Sequence, residues 1–173
     1  MLESEYDVVI VGAGPAGAAA ARAIRGSGLE GVIIEKASVP RYKMCSGILF
    51  PSARKLITDA FGPIPKDVLC EPARVRGNRV LLTLEDPPFD APFSVFDDGP
   101  GLGENGLNAS RPKLDHWLCG ESGASIVDEC VFRAFRRDGE DLVLELRRGG
   151  KDVEVGTRYL VGADGTRSTV RGA

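Results

Sequence analysis

Val8-Val9-Ile10-Val11 runs into Gly12-Ala13-Gly14-Pro15-Ala16-Gly17, then Ala18-Ala19-Ala20-Ala21, then Val32-Ile33-Ile34-Glu35, and this stretch decides the fold. Four β-branched residues predict a buried strand, the alanines a helix, and the second apolar run another strand, which together make a βαβ unit. The Gly-x-Gly-x-x-Gly turn suits a dinucleotide pyrophosphate, whose two negative charges must be met without a bulky side chain in the way. Gly12 permits the tight turn, Gly14 lets the backbone approach the phosphates, and Gly17 lets the helix pack close to the sheet. Pro15 stands where its missing N–H costs nothing, and with Ala16 it opens a helix whose free N–H groups and positive dipole end face the anion. Glu35 follows Gly17 by 18 residues, near the roughly 20 expected of the acid that takes the adenosine ribose hydroxyls. The motif in this context indicates an adenine dinucleotide and leaves NAD and FAD both open.

Composition bounds the partners. The chain has 173 residues, 43% of them hydrophobic, and a net charge of −3, which predicts a soluble globular chain with one sizeable core and no nucleic-acid partner. Cys45, Cys70, Cys119 and Cys130 form no CxxC pair and no metal-ligand spacing, so neither a metal site nor a secreted disulfide scaffold is expected. The expected compartment is reducing and cytoplasmic. The first strand follows Met1 too closely for a cleaved signal peptide, and no run of 18 apolar residues predicts a transmembrane segment.

Further along, Pro40 and its polar neighbours predict a loop from Ser38 to Gly47, and Pro51 to Phe61 reads as a helix with Leu56, Ile57 and Ala60 on its apolar face. The β-rich texture from Val68 to Val95 predicts a small antiparallel sheet, with strands at Ala73–Arg76, Arg79–Leu84 and Pro92–Phe96 and a turn at Gly77-Asn78. A loop is expected from Asp97 to Gly106. A helix with Leu114, Trp117 and Leu118 inward follows from Arg111 to Glu121, with Ser110 as its cap. Ala124–Val127 reads as a strand. Val131–Arg137, Leu142–Arg147 and Lys151–Val155 read as a three-stranded meander, and Tyr159–Val161 as one more buried strand entering Gly162-Ala163-Asp164-Gly165.

Three further runs carry a resemblance. Pro40-Arg41-Tyr42-Lys43-Met44-Cys45-Ser46-Gly47 is similar to a P-R-x-K-x-C-x-G segment, Ser110-Arg111-Pro112-Lys113-Leu114-Asp115 to an R-x-x-[FL]-D helix start, and Gly162 to Arg171 to G-A-D-G-x-x-S-x-V-R. With the glycine turn, they make the chain resemble the N-terminal portion of an FAD-dependent oxidoreductase of the p-hydroxybenzoate hydroxylase superfamily, and within it the geranylgeranyl reductase family. The fold class implied is α/β: a Rossmann-like FAD-binding domain with a GxGxxG βαβ unit and a three-stranded β meander, interrupted by part of an antiparallel substrate-domain sheet. On that reading, residues 1–62 and 107–173 bind FAD and residues 63–106 are the substrate-domain insertion.

The resemblance selects FAD. It implies that Gly12, Gly14 and Gly17 line the pyrophosphate, that Glu35 accepts from the adenosine ribose hydroxyls, and that Pro15, Ala16, Lys36 and Arg111 contact FAD. It further implies that Val131 offers backbone groups near the adenine and that Asp164 lies by the flavin's phosphate and ribityl region. Cys45 is implied beside the isoalloxazine as the catalytic thiol, with Arg41 and Lys43 the cations expected to lower its pKa. Where the family often carries Cys-Gly-Gly, this chain has Cys45-Ser46-Gly47. Cys70, Cys119, Cys130 and His116 are read as structural. The implied reaction is flavin-mediated reduction of a prenyl double bond, with electrons from NAD(P)H or a ferredoxin-like donor and membrane association no more than peripheral. Aromatic hydroxylation or halogenation is the alternative within the superfamily. Family members continue past the Asp-Gly motif with more substrate-domain strands and a helical region. A FAD-binding module inactive without a C-terminal partner chain therefore stands beside the enzyme reading.

Overall fold

The structure, a computed structural model, describes residues 2–95 and 105–173. In chain order its elements are β1 (Glu5–Val11), α1 (Pro15–Ile24), β2 (Gly31–Ile34), β3 (Ile48–Leu49), α2 (Pro51–Phe61), β4 (Leu69–Val75), β5 (Gly77–Val80), β6 (Phe89–Pro92), β7 (Gly106–Ala109), α3 (Arg111–Ser122), β8 (Ser125–Val127), β9 (Cys130–Asp138), β10 (Asp141–Arg148) and β11 (Lys151–Gly162). They form two compact units, residues 1–41 with 115–173, and residues 42–114.

The first unit is built on a six-stranded sheet of order β8-β2-β1-β11-β10-β9. β1 lies in its middle, parallel to both β2 and β11, which is why Val8 to Val11 can be apolar without alternation: both faces are covered. One face packs Val9, Val11, Val32 and Ile34 with Val127, Phe132, Leu144, Leu146 and Val155 into a single core. Ala18 and Ala21 of α1 are also buried. The expected meander and the expected last strand share one element. β11 runs unbroken for 12 residues, antiparallel to β10 over residues 151–157 and parallel to β1 over residues 156–162. Residue Tyr159, expected buried, is 52% exposed.

The second unit holds a three-stranded sheet, β3-β7-β4, and a separate β5-β6 hairpin, where the sequence predicted one sheet. Gly77-Asn78 is not a turn but the start of β5, whose pairing with β6 runs from Gly77 to Val80. Gly77 is required there because a Cβ would strike the Ala91 carbonyl. Residues 81–84 leave the ladder, and Phe93–Val95 form a 3-10 turn. α2 matches its expected span, but its inward stripe runs through Pro51, Arg54, Ile57 and Phe61, which leaves Leu56 72% exposed. Of the loop expected from Asp97 to Gly106, residues 97–104 lie outside the described residues, and Gly106 opens β7.

Candidate functional site

The glycine turn stands at the carboxyl end of β1. Gly14 is the N-cap of α1 and Pro15 its first residue, and Ala18 N–H donates to the Gly14 carbonyl at 3.0 Å. The N–H groups of Gly14, Ala16 and Gly17 therefore precede the helical ladder and are open to an anion. A Cβ on Gly17 would run into the Gly12 carbonyl, so the start of the helix lies against the turn itself. Gly12 has φ +112°, and a Cβ there would come 2.5 Å from the Ala163 carbonyl oxygen and 3.1 Å from Asp164 Cα. Ala163 N–H also donates to the Val11 carbonyl at 2.8 Å. The glycine turn and the Asp-Gly motif, 150 residues apart in sequence, thus meet at Gly12.

Asp164 accepts the Thr169 N–H at 2.6 Å and the Val170 N–H at 3.2 Å on Oδ2. Burial pushes its carboxyl up, but the Ser168 hydroxyl and these N–H groups outweigh that and hold it below the usual carboxylate range. Oδ1 is buried with no hydrogen-bond partner among the described residues. A buried carboxylate oxygen is costly to leave unpaired, so its position calls for a donor from a ligand.

Glu35 closes β2 and is 5% exposed. Its Oε2 accepts from Ala13 N at 3.0 Å and Arg41 Nε at 2.9 Å, and its Oε1 from Ala37 N at 3.2 Å. Burial pushes this carboxyl up, and the Arg41 guanidinium with the Ala13 and Ala37 N–H groups brings it below the ordinary value. Lys36 is exposed. Val131 follows Cys130, whose N–H donates to the Glu35 carbonyl at 2.9 Å, so the first residues of β9 adjoin the end of β2. Sequence reasoning misses Arg41 in this cluster and also Asp115, which accepts from Arg41 Nη1 at 3.2 Å. The available signal was their place in two of the quoted motifs.

In the unit of residues 42–114, Cys45 is exposed. Gly47 follows with φ +76°, its missing Cβ leaving room for the Ala109 carbonyl, and its own carbonyl accepts the Ala109 N–H at 2.8 Å. This pins the Cys45 loop beside the start of α3. The Gly47 N–H and then the Arg111 guanidinium hold the Cys45 thiol below its ordinary range. Arg41 and Lys43 are not its cations, contrary to expectation: Arg41 is committed to Glu35 and Asp115, and α3 supplies Arg111 instead. Cys119 and Cys130 are buried, and burial pushes Cys119 up to about 11. Cys70, expected to be structural, is exposed on β4.

This geometry fits a dinucleotide with a hydroxyl-bearing chain beyond its phosphates: open amides at α1, a carboxylate at the end of β2, and an orphaned oxygen on Asp164 beside Gly12. The family described as "FAD binding domain" matches residues 5–56. A geranylgeranyl diphosphate reductase of Rhodobacter capsulatus is 31% identical over 96% of this chain and 39% of its own length. The chain is similar to that reductase along almost all of its own length. It spans about two fifths of the length of that curated relative. Among solved structures, a geranylgeranyl bacteriochlorophyll reductase-like protein from Thermoplasma acidophilum superposes with TM-score 0.75 at 23% identity, over 94% of this chain and 40% of that one, and so shares the fold. The anhydrotetracycline hydroxylase OxyS from Streptomyces rimosus is 25% identical with TM-score 0.71, over 97% of this chain and 33% of its own. The match of residues 5–56 to an FAD binding domain supports FAD as the dinucleotide. No helix among the described residues is long and apolar enough to cross a membrane.

Proposed function

We propose that this chain is the FAD-holding portion of an oxidoreductase that reduces isolated double bonds of a prenyl or similar lipid substrate, with electrons from NAD(P)H or a ferredoxin-like donor. The observation that carries the FAD part is the meeting of Gly12 with Ala163-Asp164, because it sets the buried Asp164 Oδ1 next to the pyrophosphate turn. In this reading the amides of Gly14, Ala16 and Gly17 take the pyrophosphate, Glu35 takes the adenosine ribose with Lys36 alongside, and Val131 offers backbone groups to the adenine. Asp164 accepts a hydroxyl of the ribityl side. Arg111 and Cys45 are assigned to FAD by the resemblance alone, the Cys45 thiol as a polarisable group held below its ordinary range by the Gly47 N–H and Arg111. FAD, when bound, supplies the hydride chemistry, and the chain supplies position and charge.

The prenyl assignment is supported by the likeness to the Rhodobacter reductase, and hydroxylation by the likeness to OxyS. A C-terminal partner chain would supply what the relatives carry beyond the matched portion. Residues 1–62 and 107–173 would belong to the FAD-binding side and residues 63–106 to the substrate side. The test has two stages. Purified chain mixed with FAD and passed through a desalting column should stay yellow, and titration should quench flavin fluorescence with a micromolar Kd; protein that leaves the column colourless and quenches nothing overturns the FAD reading. The chain, co-expressed with any downstream open reading frame product, is then reduced anaerobically with dithionite and given geranylgeranyl diphosphate. A mass gain of two hydrogens per double bond supports reduction. No gain, together with oxygen-dependent hydroxylation of an aromatic substrate, overturns it in favour of the hydroxylase.

A further inference from the structure

Arg41 closes the Pro40-Arg41 pair and Asp115 ends the Arg111-to-Asp115 run, and neither has a role in the reading above. Both lie in the unit that holds β1. The side chains of Arg41, Glu35 and Asp115 are 15%, 6% and 3% exposed, and one guanidinium bridges the two carboxylates at 2.9 and 3.2 Å. We propose that Arg41 and Asp115 are positioning residues for the adenosine ribose: Asp115 holds Arg41, and Arg41 fixes the Glu35 carboxylate so that one acceptor site stays open to a ribose hydroxyl. This rests on the FAD reading.

A carboxylate offers about four acceptor sites. Among the described residues, protein donors take three on Glu35: Ala13 N–H and Arg41 Nε on Oε2, and Ala37 N–H on Oε1. The fourth is on Oε1. Since Oε2 is held by two donors, the carboxylate cannot turn its oxygens over without breaking both bonds, so the open site has a fixed direction. Arginine is suited to this because its planar fork engages two carboxylates at once with little further loss of freedom. Asp115 projects from α3, a regular element that fixes the far end of the fork better than a loop would. Arg41 Nη2 also lies 3.6 Å from where a Cβ of Gly14 would stand, so the same side chain borders the pyrophosphate turn.

Isothermal titration with ADP and 2′-deoxy-ADP tests the inference on the intact chain, without catalysis. Wild type should prefer ADP about tenfold, the scale of one hydrogen bond to a charged group. Asp115→Asn should cut that preference to about twofold while 2′-deoxy-ADP binds nearly as before. Glu35→Gln combined with Asp115→Asn should show the preference of Glu35→Gln alone, because the two residues act through one carboxylate. A merely structural role for Asp115 would weaken both nucleotides alike and leave their ratio intact, and that result overturns the inference. Should Asp115→Asn fail to fold by circular dichroism, Arg41→Lys serves instead: a reduced ratio supports the inference and an unchanged one overturns it. Wild type that binds FAD and ADP but ignores the 2′-hydroxyl overturns the positioning role and leaves the FAD reading standing. Wild type that binds neither overturns both.

Discussion

The two units spend their apolar side chains in opposite ways. In the unit with β1, Val9, Ile10, Val32, Ile33 and Leu144 are fully buried, and Tyr159 is the large apolar residue left open among those described. In residues 42–114, Tyr42, Met44, Leu81, Leu82, Leu84 and Phe89 are half or more exposed, while Phe93 is fully buried against Phe50, with ring centroids 4.6 Å apart. The difference teaches where geometry is set. A site formed by β1, α1, β2 and Asp164 is fixed by a core the chain closes by itself, whereas the apolar surface of residues 42–114 is of the kind that marks an interaction face.

The most severe way to break that contrast is Gly17→Val. Its Cβ meets the Gly12 carbonyl, a backbone atom that cannot swing aside, so the helix must move off the sheet. The expected cost is about 3 kcal/mol, the upper end for overpacking, seen as a lower urea midpoint together with loss of FAD binding. A variant that melts like wild type would show that α1 is not seated as described.

Acid should separate the units next. Folded Glu35 titrates below its ordinary value of 4.5, and Asp164 likewise lies below its value of 3.8. Their contribution is therefore fully present above those values and lost as pH falls through the lower folded ones. In residues 42–114 the Asp90 carboxyl is also lowered by Arg79, but that pair is exposed on both sides and contributes little. Amide signals of β1, β2 and β11 followed by NMR from pH 6 to 3 should broaden or shift before those of β5 and β6. The reverse order would break the comparison.

The glycine turn was legible because each glycine has one mechanical reason to be there, and the central place of β1 follows from an apolar run with no alternation, which needs both faces covered. The Asp-Gly motif was legible as a sequence and not as a neighbour: nothing in the order of residues says that Gly12 lacks a side chain to admit Ala163. Sequence proximity pairs Arg41 with Cys45, whereas in the structure two buried carboxylates outcompete an exposed thiol for the guanidinium. The β5-β6 hairpin was misread because Gly77-Asn78 has turn composition, and only the Ala91 carbonyl across the ladder explains the glycine.

The thiols offer a gentler probe. Cys45 and Cys70 are exposed, Cys119 and Cys130 buried. At neutral pH Cys45 should react first with a disulfide reagent, since its thiolate is favoured by the Gly47 N–H and Arg111, and Cys119, pushed up to about 11, only after unfolding. Arg111→Gln should slow Cys45 several-fold, toward the rate of Cys70. An unchanged rate would leave the Gly47 N–H and the Ser46 side chain as the causes.

The smallest effect is expected at Leu84, which is 100% exposed. Leu84→Ser removes no buried area, so stability should stay within about 0.5 kcal/mol of wild type. Its consequence lies in association. If the open apolar residues of 81–89 only face water, the substitution changes solubility alone. If a C-terminal partner chain covers them, co-purification with that partner should weaken several-fold while ADP binding at the glycine turn, in the other unit, holds its wild-type Kd. Loss of ADP binding on Leu84→Ser would contradict the contrast between the units, because it would mean that the glycine-turn site depends on a surface to which its own closed core makes no appeal.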